Sequence, residues 1–367
     1  MGIRAILAGS VALLAGLVAC SAPASVAATS SGAAARAAAS AAALARATRN
    51  KAAGSGTAGN TTGNKADTAA ASASSATVRE GLCTAPADHR ALAARVSADI
   101  WAGLKGRNGQ HAVSVYDRDS GLYCLYNGSK HFDSASIVKA IILGALLRWH
   151  QETKTPLSSW EKDEATEMIE QSDNDAATDL WDELGMTRLQ HFLNLAGMGE
   201  TELGQDGAWG LTRVTAHDEM LLLELLTGPN SVLDASSRAY QLYLMAHVAN
   251  WEAWGVTAGT PSGVTWHVKN GWLPDATGWH INSIGTFSGP GKNYMIAVLS
   301  DNTDMNDDEQ YGINTIEDVA RLVQHDLNDA NLTGSSPAAA RLASAPNAAL
   351  QASSWAVVPA LPTPSQG

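Results

Sequence analysis

Residues Asp133–Trp149 read DSASIVKAIILGALLRW, and from Ile137 to Leu147 every side chain but one is apolar. The exception is an amine, Lys139. A helix that is apolar all round belongs at the centre of a domain. Stripping water from an ammonium costs several kcal/mol unless it is paired or neutralised, so a lysine there needs a chemical reason. Ser136 precedes it by three residues, which puts both side chains on one helix face. Asp133 or Ser134 is expected to cap the helix, leaving Ser136 in a first turn whose free N–H groups favour an oxyanion. A serine hydroxyl is a poor nucleophile without an adjacent base, and desolvation lowers a lysine's pKa until a neutral amine can take the proton. Burial makes Lys139 a base for the Ser136 hydroxyl.

The four-residue pattern alone is weak, and the chain supplies its own control. Ser159-Trp-Glu-Lys162 has the same spacing. There Ser158 and Glu161 fit a capping box, and Lys162 lies on a charged helix start, so a helix terminus is the expected outcome. Two further motifs follow Ser136-x-x-Lys139. Ser172-Asp173-Asn174 falls between helical stretches at 164–171 and 175–184, where a tight connection can present Ser172. Lys269-Asn270-Gly271 is expected to end a strand in which Thr265, His267 and Lys269 share one face.

Around these motifs the periodicities give an order of elements. Helical spacing over 91–104 leads into alternating strands at 111–116 and 121–126, joined by the turn residues Asp117-Arg-Asp-Ser-Gly121. Helices occupy 136–226 and 235–250, strands are expected at 264–269, 281–287 and 294–299, and an amphipathic helix closes the series at 313–327. The fold class is therefore α/β of the α+β type. It should be a five-stranded antiparallel sheet with the N- and C-terminal helices on one face, beside an all-helical lobe. The cleft between sheet and lobe is the expected site.

Ser136-x-x-Lys139, Ser172-Asp173-Asn174 and Lys269-x-Gly271, in that order, resemble the class A β-lactamase and penicillin-interacting serine DD-peptidase superfamily. The resemblance spans about 91–327 and implies the same β-lactamase/transpeptidase-like fold. It also implies roles: Ser136 as nucleophile, Lys139 as base or relay, and Ser172 with Lys269 carrying a proton to the leaving nitrogen. Asn174, Asn270, Gly271 and Trp272 would contact substrate, with the N–H groups of Ser136 and Trp272 as oxyanion hole. Departures are visible too. Class A enzymes activate the deacylating water with an omega-loop glutamate, but Leu203–Thr215 (LGQDGAWGLTRVT) is short and offers only Asp206. Asn270 replaces the usual hydroxyl residue, and Trp279-His280-Ile281-Asn282 offers no arginine for a substrate carboxylate. Acylation is expected and deacylation of β-lactams should be poor. The alternative is a catalytically silent protein that binds a ligand or partner in the same cleft.

The ends of the chain bear on location. Met1–Cys20 (MGIRAILAGSVALLAGLVAC) has one basic residue and an apolar run too short for a comfortable span, the mark of an export signal. Leu17-Val-Ala-Cys20 resembles a bacterial lipobox, which implies lipidation at Cys20 and a place on the outer face of the cell membrane. Cleavage after Ser25-Val-Ala27 and secretion is the alternative. Residues 21–77 read as an Ala/Ser/Thr/Gly tether and 333–367 as a tail, leaving 78–332 as the folded hydrolase domain. Cys83 and Cys124 leave open a disulfide or two buried free thiols.

A formal charge of -12 and a pI near 5.2 argue against nucleic acid and against any membrane contact beyond a lipid anchor. The expected partner is a small-molecule or peptide substrate, β-lactam or cell-wall-like, and the chain is expected to be a monomer. The ten histidines are scattered without H-E-x-x-H, so neither metal nor other cofactor is expected. Asp301–Glu309 (DNTDMNDDE) is acidic but lacks calcium-loop spacing and reads as a solvated turn. Trp251, Trp254, Trp266 and Trp272 are expected in the core rather than on a cleft wall.

Overall fold

Apolar alternation becomes sheet, and apolar continuity becomes buried helix, in a computed structural model that describes residues 77–301, 303 and 309–329. The chain enters through two short strands, β1 (Thr77–Glu80) and β2 (Cys83–Pro86), followed by helix α1 (Arg90–Leu104) and the hairpin β3 (Gln110–Asp117) and β4 (Leu122–Tyr126). A two-residue strand, β5 (Phe132–Asp133), leads into the helices α2 (Val138–Thr153), α3 (Ser159–Glu170) and α4 (Asn174–Ala196). Strand β6 (Arg213–Val214) returns to pair with β5, and α5 (Ala216–Thr227) and α6 (Ala235–Ala246) follow. The long strands β7 (Thr265–Asp275), β8 (Gly278–Gly289) and β9 (Lys292–Asp301) and helix α7 (Glu309–Asn328) complete the order.

The main sheet has seven strands in the order β1-β2-β4-β3-β9-β8-β7, not the five expected. The two additions are four-residue strands at one edge, too short to give a legible alternation. Their register sets Cys83 opposite Cys124, and the two form a disulfide. The alternative left open by the cysteine count is thereby closed. The late strands are also longer than expected, so Lys269-Asn270-Gly271 lies inside β7, paired with Ile284, Ser283 and Asn282, rather than at its end.

Strand β9 is buried along both faces. Met295, Ala297 and Leu299 join the core of the helical lobe, while Ile296 and Val298 join a second core with α1 and α7. A strand covered on both faces reads as a continuous apolar run. Each of the Met, Leu, Ile and Val side chains contributes about 1.5–3 kcal/mol on burial. Helix α1 packs along α7 as expected, and the approach is close at Gly103, where an added Cβ would stand 2.8 Å from a Val319 methyl. Helix α2 is the centre of the other layer, with Val138 to Leu147 buried without interruption.

Two helix limits differ from expectation for local reasons. Helix α4 continues beyond Leu184 to Ala196 across a kink at Gly185 (φ 64°). Helix α6 stops at Ala246, and Asn250–Glu252 forms a separate 3-10 turn. Cys20, the leader, the tether up to Thr77, the C-terminal tail and positions 302 and 304–308 of the acidic segment lie outside the described residues. Among the described residues no helix is long and apolar enough to cross a membrane.

Candidate active site

Ser136 sits in a 3-10 turn, Ala135–Ile137, that leads directly into α2. No side chain caps this turn, contrary to expectation: Asp133 faces Arg213 at 3.6 Å, and the Ser134 hydroxyl bonds backbone oxygens. Neighbouring chain segments hold it instead. Ser134 N–H donates to Thr212 O (2.8 Å), and the Asn282 amide donates to Asp133 O (2.9 Å) and Ser134 O (3.0 Å). Asn282 stands on β8 opposite Gly271, and that glycine is required: an added Cβ would lie 2.7 Å from the Ser136 nitrogen. Ala135 has φ 48°, a left-handed value that costs a non-glycine residue of order 1–3 kcal/mol.

Lys139 is fully buried, one turn beyond Ser136. Its amine reaches Ser172 O (2.6 Å), Asn174 Oδ1 (2.8 Å) and Ser172 Oγ (3.3 Å). Ser172 also has a left-handed φ (52°), in the tight connection between α3 and α4. Asp173 does the plain structural work of the motif, capping α4 by accepting from Ala176 N–H (2.9 Å). The three consecutive residues therefore divide between cap and site.

Lys269, also fully buried, approaches from β7 and donates to Ser172 Oγ (2.9 Å). One hydroxyl thus bridges two buried amines. Desolvation pushes Lys139 well below the usual lysine range, and the nearby charge of Lys269 adds to this, against Glu252 and Asp173. Lys269 is also lowered by desolvation, with Glu252 opposing. A neutral Lys139 has two N–H groups for Ser172 O and Asn174 Oδ1, and a lone pair left over to accept a proton.

Asn270 behaves differently from its expected role. It is fully buried, and its amide donates to Glu252 O (2.6 Å) and Trp254 O (3.1 Å), so its two donors fix the turn before β7 rather than a substrate. Strand alternation also turns the Trp272 ring away from Lys269 and Gly271. The ring packs edge-on against Trp251 and Trp254, beside the core of α1 and α7, so only its backbone can serve at Ser136. Trp251 itself is 55% exposed, against the expected core position.

Two residues escaped the sequence reading. Trp209, from the short 203–215 stretch, lays its ring 4.9 Å from Lys139 Nζ and anchors its indole N–H on Thr178 (3.1 Å). In the same stretch Asp206 is exposed on a turn with φ 54°. Glu252 is 1% exposed, with Oε2 3.7 Å from Lys269 Nζ. Its signal was available: a carboxylate in Trp251-Glu-Ala-Trp254 is as anomalous among aromatic neighbours as Lys139 is among aliphatic ones.

Outside this cluster, Glu200, His217 and Asp218 bring ligand-type atoms within 4.8 Å of one another. Their carboxylates already accept from Thr215, Thr201 and the Glu200 N–H, which accounts for the cluster as a structural network.

The fold agrees with comparisons to known proteins. Residues 150–327 match the family described as the β-lactamase enzyme family, a stretch holding Ser172 and Lys269 but beginning after Lys139. The fold is β-lactamase-like. A β-lactamase from Xanthomonas campestris pv. campestris is similar at 18% identity, over 64% of this chain and 98% of that one, with a TM-score of 0.56. A class A β-lactamase from Mycobacterium abscessus is similar at 19% identity, over 63% and 98% of the two chains, with a TM-score of 0.55. A β-lactamase from Sphaerobacter thermophilus gives 19% identity, 64% and 97% coverage and a TM-score of 0.54. No curated protein matches the chain.

Proposed function

We propose that this chain is a serine acyl-transfer hydrolase that forms an acyl-enzyme on Ser136 with a β-lactam, a cell-wall peptide or a related amide or ester. The observation that carries the reading is the Ser172 hydroxyl, 2.9 Å from Lys269 and 3.3 Å from Lys139, both amines being buried. Ser136 Oγ attacks the carbonyl as its proton passes to the Lys139 amine, and the N–H groups of Ser136 and Trp272 receive the oxyanion. When the tetrahedral adduct collapses, the C–N bond breaks and the leaving nitrogen takes a proton through Ser172, backed by Lys269. Asn174 accepts from Lys139 through Oδ1, and its NH2 group would bind a substrate amide.

Release of the acyl group is the slow step in this reading. The 203–215 stretch carries no glutamate, Asp206 faces solvent, and Trp209 covers the Lys139 side of the site. Each 1.36 kcal/mol added to the deacylation barrier slows it tenfold, so losing a water-activating base leaves an adduct that persists. Intact mass after treatment with a fluorescent penicillin tests both steps. A penicilloyl adduct is expected on wild type, absent from Ser136→Ala, with a burst and little steady turnover on a chromogenic cephalosporin. No adduct with any acyl donor favours the silent binding protein, and rapid turnover abolished by Asp206→Asn makes Asp206 the deacylating base. The leader extends the proposal to the cell exterior: the mature chain is anchored through a lipidated Cys20, and Cys20→Ala should release it from membranes.

A further inference from the structure

We propose that Glu252 is a positioning residue for this site: its carboxylate holds the positive charge on Lys269 and leaves Lys139 as the uncharged amine of the pair. The proposal rests on the reading of Lys139 as the base.

Two buried amines share one hydroxyl, and a buried ammonium needs an opposite charge close by. Among the described residues, four charged groups act on this pair: the lysines themselves, Asp173 at the start of α4, and Glu252. Asp173 is engaged as the α4 cap. Glu252 is the opposite: neither carboxylate oxygen has a hydrogen-bond partner, and Lys269 Nζ is 3.7 Å from one of them. That separation suits an ion pair better than a hydrogen bond. Lys139 instead meets three neutral oxygens, on Ser172 and Asn174. One carboxylate compensates one ammonium, and the geometry gives it to Lys269. The outcome is an acid and a base of the same residue type, 2.9 and 3.3 Å from the same hydroxyl.

The turn carrying Glu252 is fixed through its backbone. Glu252 O accepts from the Asn270 amide (2.6 Å), Glu252 N–H donates to Ala249 O (2.8 Å), and Ala249 N–H donates to Glu170 O (2.8 Å) near the end of α3. This gives the amide at position 270, in place of a hydroxyl, a use: it seats the carboxylate that faces Lys269. It also means that Glu252→Gln removes the charge while keeping size and every one of these backbone bonds.

The test is a side-chain NMR titration of labelled lysines in the full chain, with Lys139→Met and Lys269→Met to assign the signals. In wild type, Lys269 should remain charged to a higher pH than Lys139. In Glu252→Gln the Lys269 midpoint should fall by about one pH unit or more, the usual effect of losing an opposite charge at this range. The high-pH limb of the acylation profile with a fluorescent penicillin should move down with it. Glu252→Asp, which keeps the charge but shortens the reach, should fall between the two and serves if the glutamine variant does not fold. An unmoved Lys269 midpoint overturns the inference, as does a wild type in which Lys139 holds its proton to the higher pH. A shifted midpoint in a protein that no acyl donor modifies sustains the charge assignment and removes the catalytic reading.

Discussion

The starts of α2 and α3 carry the same four-residue spelling and have nothing else in common. At Ser136-x-x-Lys139 the turn is uncapped, the residue before Ser136 is left-handed, and the lysine is fully buried. At Ser159-x-x-Lys162 the helix is closed by a complete capping box, with Ser158 N–H donating to Glu161 Oε2 (2.6 Å) and Glu161 N–H donating to Ser158 Oγ (3.1 Å). Ser159 and Lys162 are exposed there. Stability is built into the second terminus. The first gives up a side-chain cap, accepts backbone strain and buries an amine, which is the pattern of a site whose geometry is imposed by its surroundings. Spacing selects which side chains share a face, and the environment decides whether they react.

The contrast is sharpest in the nucleophiles. Ser136→Ala should remove the penicilloyl adduct completely, whereas Ser159→Ala should leave its rate and yield unchanged by intact mass. Next come the amines. Lys139→Met should slow acylation by roughly 10²–10⁴-fold, the range for losing one general base, while Lys162→Met should have no effect in the same stopped-time assay. A Lys139→Met protein that acylates within a few-fold of wild type would put the two termini on an equal footing and end the comparison.

The Lys139 substitution also reads out in pH. Lys139 has a folded pKa far below its usual 10.5, so the unfolded chain binds the extra proton between those two values. Burying this lysine therefore costs stability, fully so below the folded pKa, and the cost is relieved as pH rises toward 10.5. Lys139→Met should be more stable than wild type by urea unfolding near neutral pH, with the advantage shrinking by pH 10. The smallest effect belongs to the cap: Ser158→Ala should cost about 1 kcal/mol of unfolding free energy with acylation unchanged.

Much of this arrangement is legible in the sequence because it depends on local pattern. The apolar run around Lys139, the alternation of β3 and β8, the continuous apolar run of β9 and the capping box at Ser158 are each visible within a dozen residues. The unread parts are those that arrive from elsewhere in the chain. Glu252 reaches Lys269 by a turn whose position depends on where α6 stops, and Trp209 reaches Lys139 from a loop with no periodicity. Asn270 looked like a substrate ligand because its neighbours in sequence are site residues, yet in a strand consecutive side chains face opposite ways. The strands β1 and β2 were missed because four residues at a sheet edge give too few repeats for a period to declare itself.

Those two edge strands give the domain a mechanical property. Tension applied to the chain ahead of Thr77 would load β1 first, peeling its rungs from β2 one at a time, since among the described residues β1 has no neighbour on its other side. Peeling would run through Thr77 to Leu82 and then reach Cys83, where the load passes through a covalent bond to Cys124 in β4. The disulfide works as a rivet between the frayable hem and the inner sheet. Only a few residues of slack can be drawn out, and the inner strands, with Lys269 and Gly271 on β7 at the far edge, are shielded from the pull.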